Sequence, residues 1–177
     1  MIFHNREDGR PGEFFSWAEL TVTGKPFGNK PTGSARLNLV VFTQNCLDPL
    51  RRFIDRPIRV TSGYRSEAVN RAVGGHPLSY HRRGEAADIK AEGLSAPELM
   101  AAVVELAGLD DARPYFGPIS GLRQQQVRWV FDQAIAYAPT RGGHLHLQLR
   151  VSRESENRRK KLWAPTGGGY EDYRLRS

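Results

Sequence analysis

The sequence predicts an α+β fold class, and three observations carry that expectation. Apolar residues recur at helical spacing after Ser34 and again after Ser95. Short β-rich runs stand at 57–60 and 86–89, and polar and apolar residues alternate strictly over 144–150. At 177 residues the chain is most simply one domain, long enough to bury a core without disulfide or metal staples. Its hydrophobic share of 39% and its 18 glycines fit a globular protein with many turns.

Each element has a local reason. Residues 1–33 are polar and rich in Gly and Pro, with an aromatic patch at Phe14, Phe15 and Trp17, and read as an N-terminal extension. Ser34 is the expected cap of a helix carrying Leu37, Val40, Val41 and Leu47, which Pro49 should bend or end. Pro57 to Val60 reads as a strand leading into TSGYRS, and Ser66 to Val73 as a brief helix stopped by Gly74 and Gly75. Ala86 to Ile89 is a small-residue strand. Ser95 caps the next helix, with Pro97 in its first turn and Leu99, Met100, Val103 and Val104 facing inward. Val127 to Tyr137 holds two strand-like pieces, and 144–150 is the last strand of a domain spanning 34–151. From 152 to 177 the chain is basic and poor in aliphatics, a tail expected at the periphery or flexible rather than in the core.

Bulk properties exclude several classes. A single cysteine, Cys46, rules out an internal disulfide framework and a cysteine-based zinc finger, and its apolar helical setting suits core packing. No run approaches the roughly 18 apolar residues that span a bilayer, and MIFHNREDGRPGEFF lacks the apolar stretch of a secretory signal. The expectation is a protein cytoplasmic at synthesis that needs help to work elsewhere. A net charge of +7 and a pI near 9.9 imply a polyanionic partner, either nucleic acid or a bacterial wall with acidic polymers. No recognition helix or nucleic-acid motif of fixed spacing appears. TGKPFGNKPTGS lacks the ending of a phosphate loop, so it reads as a loop.

Chemistry concentrates in His81, Asp88 and a closing HLH at 144–146. The first two lie seven apart in SYHRRGEAADIK, and the third ligand candidate lies in HLHLQLR. Two imidazoles and one carboxylate are a set that holds zinc with one position open for water, which suits hydrolysis better than scaffolding. In the last strand His144, His146 and Gln148 share one face while Leu145, Leu147 and Leu149 share the other, placing the two imidazoles about 7 Å apart. His4 and His76 lack such company and read as exposed loop residues.

PIRVTSGYRSEAVNRAVGGHPLSYHRRGEAADIK resembles the signature block of the D-Ala-D-Ala metallopeptidase family, especially its phage-encoded branch. The likeness rests on SGYRS at 62–66, Asn70, VGG at 73–75, Ser79, His81, Gly84, Ala86 and Asp88. LDPLRRF at 47–53, FDQAI at 131–135 and HLHLQL at 144–149 extend it over roughly 13–150. It implies a small antiparallel sheet flanked by helices, as in the hedgehog signalling domain, and a zinc peptidase that cleaves peptidoglycan peptides. It also implies His81, Asp88 and His146 as ligands of one Zn2+ ion, Ser79 as a substrate contact, and Arg65 as the group that holds a substrate carboxylate or supports the developing oxyanion.

One departure stands out. The family usually carries an acid a few residues before the third ligand, as general base. Here Arg141, Gly142 and Gly143 precede His144; Ala136, Tyr137 and Thr140 occupy the nearby positions, and the nearest earlier acid is Asp132. Asp132 or another acid delivered by the fold, His144 itself, or a loss of catalysis each accounts for this, and an imidazole near pKa 6.5 is able to take the proton. The expected function is a D-Ala-D-Ala carboxypeptidase or L-Ala-D-Glu endopeptidase serving phage lysis or infection, as an endolysin does, with His144 and Arg65 catalytic. The alternative is a catalytically impaired zinc-containing module that binds the cell wall. Nucleic-acid binding through the basic tail is a third and weaker reading.

Overall fold

The computed structural model describes residues 9–107, 133–149, 161–166 and 169–173. A short helix α1 (Trp17–Leu20) leads to α2 (Gly33–Phe42), a π turn (Thr43–Leu47) and α3 (Asp48–Ile54). Strand β1 (Ile58–Ser62), helix α4 (Glu67–Ala72), a 3-10 turn (Tyr80–Arg83), strand β2 (Ala86–Ala91) and helix α5 (Ala96–Leu106) follow. The described chain closes with β3 (Gln133–Ala136), β4 (Leu145–Gln148), β5 (Lys161–Thr166) and β6 (Gly169–Tyr173). The protein has an α+β fold. No helix among the described residues is long and apolar enough to cross a membrane.

Helix ends follow their local chemistry, with two departures from the expected pattern. Ser66 and Ser95 cap α4 and α5 through their hydroxyls, and Ser95 with Glu98 forms a reciprocal capping box. Ser34 does not cap α2: Thr32 stands at that position, without a side-chain hydrogen bond, because the chain already turns at Gly33 (φ +52°). Pro49 does not end the helix either. The π turn before it widens the backbone, and Pro49 falls in the first turn of α3, where a missing N–H is tolerated.

The strand order is β1-β2-β4-β3-β5-β6. The first four strands pair antiparallel, the sheet that was expected. Beyond them β5 joins β3 in parallel and pairs with β6 as a hairpin, so part of the tail is an extension of the sheet's edge. Of the two strand-like pieces at 127–137, the second is β3; the first, together with Asp132 and the loop at 108–126, lies outside the described residues.

The sheet has two chemically distinct faces. Ile58, Val60, Ala87, Ile89, Ala134, Ala136, Leu145 and Leu147 line the buried one, against Leu39, Phe42, Leu50, Phe53, Leu99, Met100 and Val103 of the helices. Cys46 is buried there as a free thiol. The N-terminal extension packs on this core through Phe15 and Leu20. Asn29 ties it further: the amide N–H groups donate to the carbonyls of Thr21 and Tyr64, and the Ser66 N–H donates to Oδ1. The other face carries most of the sheet's polar side chains, among them Ser62, Asp88, Lys90, His144 and His146.

Candidate metal centre

Strand register builds the centre on that second face. Asp88 on β2 stands opposite Ser62 on one side and His146 on the other. His81 arrives from the 3-10 turn that precedes β2, which Gly84 closes in the left-handed region at φ +71°. There a Cβ would lie 2.2 Å from the Ala35 carbonyl oxygen, so only glycine fits. Three dispersed residues thereby converge. His81, Asp88 and His146 each offer one ligand atom, and these atoms all lie within 4.8 Å of one another.

Asp88 is the hub. Its Oδ1 lies 2.8 Å from His146 Nδ1, 3.5 Å from His81 Nε2 and 3.9 Å from His144 Nε2. Its Oδ2 accepts a 2.8 Å bond from Arg65 Nη2, while Arg65 Nε donates to Ser62 Oγ at 2.7 Å. Burial alone raises the Asp88 carboxyl, but the hydrogen bond with His146 and the neighbouring His81 ring outweigh it and hold the group ionised, well below the usual carboxylate range. For His81, burial is the largest influence and lowers its pKa against the pull of Asp88. Burial lowers His144 in the same way. Both imidazoles therefore favour the neutral form at pH 7.

The donor set fits zinc. Bonds of about 2.0–2.1 Å at tetrahedral angles separate ligand atoms by about 3.3 Å, and the contacts of Asp88 Oδ1 with the two imidazoles, 2.8 and 3.5 Å, bracket that spacing. His81 Nδ1 lies 2.8 Å from the Gly63 carbonyl oxygen, to which it donates as the neutral ring. That bond fixes the tautomer and leaves the Nε2 lone pair for a metal, the arrangement that orients most metal-binding histidines.

The other expected site residues fall in and around this group. Arg65 is in the centre, gripping the carboxylate of Asp88. His144 stands on the same face, its side chain 21% exposed and its ring stacked on Tyr137 with centroids 4.5 Å apart. Ser79 is half-buried and immediately precedes the 3-10 turn, two residues from His81. His76 is exposed and away from the group; its Nδ1 accepts from the Leu78 N–H. His4 lies outside the described residues.

The sequence alone did not single out the partners that orient the centre. Ser62 and Gly63 were visible only as part of SGYRS, and their roles depend on which atoms face Arg65 and His81. Tyr137 stood out only as a place where an acid was missing, whereas the structure makes it a stacking partner of His144. Lys90 carried a signal that could have been used: two residues after Asp88 on a strand, it must share that residue's face.

No curated protein matches the chain significantly. A family model described as Peptidase M15 matches residues 15–116, more than half of the sequence, including His81 and Asp88. His146 lies beyond the matched span and joins the other two through the β2–β4 pairing. The chain belongs to the Peptidase M15 family and is thereby a metallopeptidase of a zinc-dependent family.

Proposed function

We propose that this protein is a zinc peptidase that hydrolyses peptidoglycan stem peptides, as a D-Ala-D-Ala carboxypeptidase or an L-Ala-D-Glu endopeptidase. The observation that carries the reading is the convergence of His81, Asp88 and His146 on a polar sheet face, with Arg65 and His144 against the same carboxylate. His81 Nε2, Asp88 Oδ1 and His146 Nδ1 would hold the ion. Zinc bound there supplies an acidified water and a polarised peptide carbonyl.

The chain's own residues supply the rest. His144, neutral at pH 7 and on the same face, accepts the proton released by the attacking water and returns it to the departing amine. Tyr137 stacks on the imidazole and restricts its orientation. Arg65 uses two of its N–H groups on Asp88 and Ser62; those remaining form a fork for a substrate carboxylate or for the oxyanion. Ser79 contacts the bound peptide beside the turn that carries His81. The basic net charge of +7 favours an acidic wall as the working surface. Phage lysis or infection is the setting proposed for it.

Digestion of purified sacculi, with products identified by mass spectrometry, tests this function. New peptide termini that disappear with chelator and return with zinc are the expected result. Intact sacculi that nevertheless retain the protein would replace the enzyme by a non-catalytic wall-binding module.

A further inference from the structure

Two parallel rows of side chains cross the polar face of the sheet, and the metal centre uses only one. The first row runs Ser62, Asp88, His146 and Ile135 across β1, β2, β4 and β3. One step along, Arg59 stands opposite Lys90. Continuing the β2–β4 register beyond the Ile89–Leu145 pair sets Lys90 opposite His144. Tyr137 completes this row, its N–H donating to the His144 carbonyl oxygen and its ring stacked on the imidazole. The second row therefore reads Arg59, Lys90, His144 and Tyr137.

The two rows are separated by two residues along β2, β4 and β3, about 7 Å, and by three along β1, where the register shifts between Val60 and Ser62. Directly opposed residues on one face of an antiparallel pair have Cβ atoms about 5 Å apart, so the two cations of the second row are neighbours. Adjacent like charges disfavour folding slightly and usually acquire an acidic partner. Among the described residues neither Arg59 nor Lys90 has one: every acid that forms an ion pair there pairs with another group. Arg59 is exposed and Lys90 is half-buried, so both reach a bound molecule. A peptide lying over the first row with its scissile bond at Asp88 and His146 places groups up to two residues away over the second.

We propose that Arg59 and Lys90 form a carboxylate subsite that recognises an acidic residue within two positions of the scissile bond. This rests on the peptidase reading above and specifies its substrate: a peptide with a free carboxylate beside the bond that is cut. Two donors on adjacent strands can bind both oxygens of one carboxylate, whereas a carboxamide offers only one acceptor oxygen and no charge.

The test compares two synthetic stem peptides that are identical except at their γ-linked glutamate, which bears a free α-carboxylate in one and an α-carboxamide in the other. For the zinc-loaded wild type, kcat/KM should favour the carboxylate peptide on the order of tenfold, mostly through KM. The ratio should fall toward one in Lys90→Met and in Arg59→Met, and Lys90→Arg should restore it. Arg51→Met, on helix α3, should leave it at the wild-type value. A wild-type ratio near one, or one that survives both methionine substitutions, overturns the subsite.

If neither peptide is cut, the peptidase reading fails by itself. Calorimetric titration of the same protein with the same peptides then decides the subsite separately. Tighter binding of the carboxylate peptide that is lost in the two methionine variants supports it, and equal binding of both peptides removes it.

Discussion

Asp88 makes four polar contacts and is the residue at which the centre's charges balance: Arg65 on one oxygen, three imidazoles around the other. Replacing His81 by Ala removes a proposed ligand and should abolish zinc binding and hydrolysis together, measured by metal analysis and a peptide assay. His144→Ala should behave differently. If His144 is the base, the rate falls about 10²- to 10⁴-fold while zinc stays bound; undiminished turnover would remove His144 from that role. The shifted pKa values also give stability a direction with pH. His81 has a lowered pKa in the fold, so below its ordinary value of 6.5 the unfolded chain binds more protons than the native one. Asp88, also lowered, adds a second loss as pH falls below its ordinary 3.8. The urea midpoint of chelator-treated protein should therefore drop between pH 7 and pH 5 and drop further in stronger acid. A flat profile would show that these groups do not couple to folding.

At the scale of elements, the centre depends on where turns end and strands begin. The Tyr80–Arg83 turn delivers His81, and Gly84 closes it against the backbone of α2. Gly84→Ala meets both a left-handed backbone and the Ala35 carbonyl oxygen. It should cost about 1–2 kcal/mol for the conformation alone, with further loss from the clash, read as a lower thermal midpoint and weaker zinc binding. Much of this level was legible in advance: Ser66 and Ser95 announced α4 and α5 through side-chain chemistry that works over three residues. Ser34 and Pro49 misled because helix limits there depend on a π turn and on a left-handed glycine, neither of which has a pattern in the local sequence. The parallel β3–β5 pairing was likewise invisible, since alternation within a strand says nothing about its neighbour.

For the molecule as a whole, the N-terminal extension and the centre are one mechanical unit. Asn29 joins Thr21 of the extension to Tyr64 and Ser66, which flank Arg65 in the chain. Asn29→Ala takes the partner from three part-buried backbone groups and should destabilise the protein by about 1–3 kcal/mol. Denaturant unfolding checks this, and a loss below about 0.5 kcal/mol would mean that the tie is incidental. Metal should act at the same scale: an ion that binds only the folded arrangement stabilises by mass action. Chelation should therefore lower the thermal midpoint and excess zinc should raise it, with the size of the shift following free zinc concentration. By itself the sequence determined the α+β class and the family likeness and offered two histidines and one aspartate as a candidate ligand set, because ligand chemistry and hydrophobic periodicity are written in residue types and spacings. Only the tertiary structure decided that Arg65 grips Asp88, that Gly63 orients His81, and that Lys90 faces His144. Those relations join residues from different strands and turns, and only strand register and the packed core bring them together.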